Sequence, residues 1–147
     1  MQKPIPPPHY WTSEAAQWAA QQLGLRYYDG MQDWPWEVAE TEGLGQYFRL
    51  YRQLDVDAAP ARRIVVLELI LEAASNGTLT DAEVRAVWPQ IMALLDHDAE
   101  VLATTAEYWC LWEVEEANLD EEAFRLSPFL REWWRANYPF PPLTASE

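Results

Sequence analysis

Apolar positions recur at three- and four-residue spacing along most of this chain, and strict apolar–polar alternation is nearly absent. That pattern predicts helices rather than strands. A first helix is expected over about Ser13 to Leu23. Thr12 or Ser13 can cap it, Glu14 suits the positive end of its dipole, and Gly24 can end it. A loop through Tyr27, Tyr28 and Gln32-Asp33-Trp34-Pro35-Trp36-Glu37 separates it from a second helix over about Thr41 to Leu54. That helix carries Tyr47, Phe48, Leu50 and Tyr51, while Gly43 and Gly45 weaken its first turns. The run Ile64 to Leu71 could pass for a buried strand. Length and flanking alanines favour a third helix over about Ala59 to Ser75, ended by Asn76-Gly77. Only Glu68 and Glu72, one turn apart, with Arg62 nearby, break its apolar surface, so it belongs at the centre of the domain.

Thr80 and Glu83 form a capping box that opens a fourth helix toward Leu95, with Pro89 expected to kink or restart it. Asp98 can cap a fifth helix over about Ala99 to Ala117. Asp120 can cap a short turn, and Ser127-Pro128 starts a last helix through Asn137. Short connections make consecutive helices antiparallel neighbours. The expectation is an all-α antiparallel bundle of about six helices in a single domain, residues 1–147. A proline-rich lead-in (1–11) and a proline-rich tail (138–147) flank it. The tail around Pro139 to Pro142 is expected against Trp133 or Trp134. The cadence around Leu94-Leu95-Asp96-His97-Asp98 resembles a HEAT-type helical hairpin. No self-similarity at a period near 40 residues extends it into a repeat array.

Composition then narrows the partners. The 147 residues are half hydrophobic and include nine tryptophans, which excludes a disordered acidic tail. A net charge of −14 excludes direct nucleic-acid binding and disfavours an anionic membrane surface. No apolar run approaches the roughly 20 residues of a membrane span, and the first residues lack a signal-peptide core. One cysteine, Cys110, fits a reducing compartment, so a cytoplasmic location is expected.

The charge is uneven. No Lys or Arg lies between Ala86 and Phe124, a stretch of net charge −10, nor between Tyr27 and Phe48, of net charge −5. Such asymmetry speeds encounter with a basic partner; it equally describes a solvated face that aids solubility. On the expected fifth helix, Val101, Leu102, Thr105, Tyr108, Trp109 and Trp112 share an apolar arc. Glu100, Glu107 and Glu115 oppose them, with Leu111 and Val114 among the acids. Leu111 and Val114 are either ordinary surface residues or a docking strip. Trp18, Trp88, Trp109 and Trp112 read as core. Trp34 and Trp36 lie in a loop, and one of the adjacent Trp133 and Trp134 is expected to be partly exposed.

Catalytic signals are weak. His97 and Cys110 would lie about 18 Å apart along one helix, too far for a nucleophile pair. No phosphate loop or Ser-centred elbow is present. Asp96, Asp98, Glu100 and Glu107 fit an EF-hand spacing, but Val101 stands where the sharp turn needs glycine, so no metal site or cofactor is expected. With 24 acids, no carboxylate pair is specific for acid–base catalysis, and the chain reads as a non-enzyme.

The segment Gln32-Asp33-Trp34-Pro35-Trp36-Glu37, the aromatic pattern Tyr47-Phe48 and Tyr51, the helix ending Ala74-Ser75, the segment Trp88 to Leu95, and the pair Tyr108-Trp109 together resemble small bacterial immunity proteins of polymorphic toxins. Pro89 and the long proline-rich start depart from that pattern. The resemblance implies a binder made alongside a toxin, without identifying that toxin; the acidic charge makes the expected toxin basic, a nuclease being one candidate. The expected contacts are Asp33, Trp34, Trp36, Glu37, Glu100, Glu107, Leu111, Val114 and Glu115. Two other readings stay open: an acidic inhibitor or DNA mimic acting on a nucleic-acid enzyme, and a non-catalytic helical scaffold.

Overall fold

The computed structural model describes residues 3–55, 58–76 and 78–139. Among them are eight α-helices: α1 (Ser13–Leu23), α2 (Trp34–Val38), α3 (Leu44–Arg52), α4 (Pro60–Ser75), α5 (Asp81–His97), α6 (Ala99–Cys110), α7 (Leu119–Glu122) and α8 (Ser127–Asn137). Single 3-10 turns, Thr41–Gly43 and Glu116–Asn118, lead into α3 and α7. No strand is present among the described residues. Among the described residues no helix is long and apolar enough to cross a membrane.

The chain is all-α and packs as a bundle around α4, which touches α1, α2, α3, α5 and α6. The reason is the composition of α4. Ile64 to Leu67, Leu69 to Leu71, Ala73 and Ala74 are all buried, so neighbours must cover every side of the helix. The helix begins with Pro60, whose missing N–H is not needed at a first helical position. Asn76 follows its end, and the expected Gly77 stop lies outside the described residues. Several termini follow the expected chemistry. Thr12 Oγ1 accepts from the Ala15 N–H at 3.2 Å, and Gly24 ends α1 in the left-handed region at φ 67°. Thr80 and Glu83 cap each other's backbone at 3.1 and 2.8 Å.

Pro89 does not interrupt α5. Both Pro89 and Arg85, whose carbonyl loses its helical donor, are exposed, so water can satisfy that carbonyl. The second helix is shorter than expected. Its glycine-weakened start is the 3-10 turn, and α3 begins only at Leu44. The acidic segment before Trp36 is partly helical, because Pro35 sits in the first turn of the short α2.

The expected caps at Asp98 and Asp120 are not made. Asp98 alone joins α5 to α6, and its side chain does not cap α6. Its Oδ2 instead accepts from the Tyr51 hydroxyl at 2.5 Å and the Arg63 guanidinium at 3.2 Å. The cap position of α7 is Asn118, with Asp120 inside the helix.

The largest departure is the end of α6. The helix stops at Cys110, and Leu111 takes a left-handed conformation at φ 48°. The cause is α8. Ser127 Oγ donates to the Trp109 carbonyl at 2.7 Å, and Arg131 Nε donates to the Cys110 carbonyl at 2.7 Å. Arg131 Nη2 also reaches the Leu111 carbonyl, and the Val114 carbonyl at 2.8 Å. These donors take the carbonyls that continued helix would have paired internally. The Val114 N–H closes a tight turn onto Leu111 instead.

The lead-in reaches both α8 and α6, and the start of the tail packs on α8. The Lys3 N–H donates to the Asn137 carbonyl at 2.8 Å, and the His9 N–H donates to Thr104 Oγ1 at 3.2 Å. Trp133 and Trp134 are both buried, contrary to the expected partial exposure of one. Tyr138 covers them with ring centroids at 5.7 and 4.7 Å. The Trp134 indole donates to the Pro139 carbonyl at 3.0 Å, and the remaining tail, 140–147, lies outside the described residues.

Candidate functional site

A cavity of about 550 Å³ opens where the lead-in, the start of α2, one side of α4 and α6 converge. Each wall is held by a specific contact. Trp34 anchors the α2 wall. It is fully buried, and its indole donates to the Arg26 carbonyl at 2.8 Å. Residues two apart on a helix point roughly 200° apart, so burying Trp34 drives Trp36 outward. Trp36 is 68% exposed and lines the cavity together with Gln32, Asp33 and Pro35.

The α6 wall follows the same logic. Trp109 is buried, its indole donates to Glu68 Oε1 at 2.7 Å, and its ring packs on Phe124 at 4.1 Å. The neighbouring Tyr108 is left 61% exposed at the cavity. The lead-in supplies Tyr10, 69% exposed, and Trp11; the His9–Thr104 hydrogen bond pins both beside α6.

On the α4 side stand Glu68 and Glu72, one turn apart. Burial raises the Glu68 carboxyl above its usual range, and the Trp109 indole partly opposes that rise. Burial, followed by the nearby charges of Glu68 and Asp33, pushes Glu72 up to about 7. Among the described residues no Lys, Arg or His lines the cavity. The arrangement is an acidic interior behind an aromatic mouth, and it can receive a cation whose remaining surface is apolar.

The expected contact residues divide. Asp33 and Trp36 come together at this cavity. Trp34 does not belong with them, because it is core. Glu37 is half-buried beside the cavity wall, and its carbonyl accepts from Arg26 Nη2 at 2.7 Å. Glu100 is exposed and lines a different cleft with Asp96, His97 and the lead-in prolines. Glu107 is half-buried and is not part of the cavity lining. Leu111, Val114 and Glu115 lie beyond the end of α6, so the helical strip expected to join them to Glu100 and Glu107 does not form. Val114 is tied to Arg131 through its carbonyl.

Tyr10, Glu68, Glu72 and Tyr108 are among the cavity residues that sequence reasoning did not select. Glu68 and Glu72 carried a signal, as the lone acids on an otherwise apolar central helix. Tyr108 carried a misleading one, since helical periodicity grouped it with the core arc of Trp109. The Cys110 thiol is buried and pushed up to about 12, chiefly by burial, which removes it from any nucleophilic role near neutral pH. No family model, no curated protein and no solved structure matches this chain.

Proposed function

We propose that this chain is an immunity protein that neutralises a cognate bacterial toxin by binding it, with the acidic cavity at the centre of the contact surface. The observation that carries this reading is the cavity's composition. Asp33, Glu68 and Glu72 line it with no basic residue, and the exposed rings of Tyr10, Trp36 and Tyr108 belong to its walls. Exposed aromatics beside a concavity are the residue types that dominate binding energy at protein interfaces. The net charge of −14 supplies a field that accelerates encounter with a basic toxin. Carboxylates then form charge-assisted pairs with the toxin's Lys or Arg side chains. Where that toxin is a nuclease, the same contacts occlude the surface that would hold phosphates. In this reading the protein works without catalysis and without a cofactor, inside the cell that makes the toxin.

A protection assay tests the proposal. The chain is expressed in cells carrying a candidate toxin domain, sought first in the genes beside its own, and survival is compared with that of cells expressing Trp36→Ala with Tyr108→Ala. The wild-type chain is expected to protect and the double variant to protect poorly at equal soluble abundance. Failure of the wild-type chain to protect, or equal protection by both, contradicts the reading. Inhibition of a nucleic-acid enzyme without toxin protection would favour the DNA-mimic alternative.

A further inference from the structure

We infer that the cavity between α2, α4 and α6 is a receptor for one arginine side chain of the partner, whose guanidinium pairs with Glu72 against the aromatic wall. This rests on the toxin-binding reading and deepens it. Glu72 lines the cavity half-buried, and among the described residues no hydrogen bond or ion pair engages its carboxylate. Withdrawing a carboxylate from water without a partner is unfavourable, and buried charges in folded proteins are ordinarily paired.

Three arginines of the chain are engaged elsewhere. Arg62 binds Glu14 at 2.6 Å and lies over the Trp18 ring. Arg63 is held by Asp98 and by the Asp55 carbonyl at 2.6 Å. Arg26 is held by the Glu37 carbonyl. Among the described residues no cation of the chain pairs with Glu72, so the acidic cavity is left complementary to a cation carried by a partner.

The walls select among cations. A lysine ammonium is a compact, strongly hydrated point charge. A guanidinium is planar, more weakly hydrated, stacks on aromatic faces, and presents a fork of donors to carboxylates. Trp36, Tyr108 and Phe124 supply aromatic surface. Glu68 has one oxygen occupied by the Trp109 indole but keeps further acceptor capacity, as carboxylates accept several hydrogen bonds. A volume near 550 Å³ lies within the range of sites that enclose small ligands, enough for the side chain together with part of the loop that carries it.

The test uses the chain alone. N-acetyl-arginine methylamide, its lysine counterpart, its uncharged citrulline counterpart and free L-arginine are titrated by calorimetry. The Trp36 and Trp109 indole N–H resonances locate the binding. The capped arginine is expected to bind saturably and shift both indoles, with the lysine and citrulline probes at least tenfold weaker. Glu72→Gln is expected to weaken the arginine probe at least tenfold while keeping the wild-type resonance dispersion. Should that variant fail to fold, Asp33→Asn provides the same comparison, with a loss of at least threefold expected. Equal binding of citrulline or lysine, or unchanged affinity in the variant, overturns the inference. Tighter binding of free L-arginine than of the capped probe also overturns it, since that favours a metabolite over a partner's side chain. Arginine binding without toxin protection keeps this inference and removes the immunity reading; protection without arginine binding does the reverse.

Discussion

The indole of Trp109 donates to Glu68 Oε1 at 2.7 Å, joining the central helix α4 to α6 at the cavity. One contact thus closes the core on one side and holds a carboxylate at the candidate site on the other. Trp109→Phe keeps most of the ring packing on Phe124 and removes the donor. It is expected to destabilise the fold by about 1–3 kcal/mol, the cost of leaving a half-buried carboxylate short of its partner. Urea denaturation measures this directly, and Glu68→Gln, which retains an oxygen acceptor, is expected to cost less.

Glu72 makes stability depend on pH. Its carboxyl is raised from 4.5 to about 7, by burial first and then by Glu68 and Asp33. Tyr10 on the lead-in and Tyr108 on α6 also line the space it shares, with no basic group among them. Between pH 4.5 and 7 the folded chain holds a proton that the unfolded chain has lost. Stability therefore falls as pH rises through that window. Above pH 7 the penalty is complete, and water screens it because the side chain is half exposed. Glu72→Gln is expected to stabilise the protein by about 1 kcal/mol at pH 8 and to change nothing at pH 4. Chemical denaturation at the two pH values checks it. The same titration weakens capture of a cation at pH 6 relative to pH 8.

Arg131 is buried, and its guanidinium holds the carbonyls of Cys110, Leu111 and Val114 while lying 5.0 Å from the Trp112 ring. Arg131→Met keeps much of the stem volume but strands those acceptors. The expected loss is about 3–5 kcal/mol, with hydrogen exchange rising first after Cys110. Arg131→Lys is expected to recover only part of it, because an ammonium cannot reproduce the fork.

Asp98 carries the Tyr51 hydroxyl and the buried Arg63. Asp98→Ala is expected to destabilise by about 3–5 kcal/mol, since it leaves a buried guanidinium without its carboxylate. Tyr51→Phe removes only the shared hydroxyl and is expected to cost about 1 kcal/mol. Thermal denaturation of the two variants separates the contributions.

Periodicity and end chemistry carried much of the fold. The α1 and α8 boundaries, the capping box of α5 and the central place of α4 follow from local residue choices. The end of α6 was not legible, because its stop comes from Ser127 and Arg131, distant in sequence. Local pattern continues the helix and draws a false strip from Glu100 to Glu115. Asp98 illustrates the same limit: an ideal capping residue is redirected by Tyr51 and Arg63 from other helices. At the candidate site, Asp33 and Trp36 were legible as an acid and an aromatic near a proline. Tyr10 was not, since contacts distant in sequence, among them the Lys3–Asn137 and His9–Thr104 hydrogen bonds, bring the lead-in across the bundle.

The affinity of the chain for a candidate toxin domain, sought first in the genes beside its own and measured by calorimetry for wild type and for Trp36→Ala with Tyr108→Ala, tests the central claim most directly. Loss of two aromatic anchors at about 1.5–2 kcal/mol each predicts an affinity at least 100-fold weaker, with the fold intact by circular dichroism. A Kd within threefold of wild type, or no binding of the domain by the wild-type chain, contradicts the account.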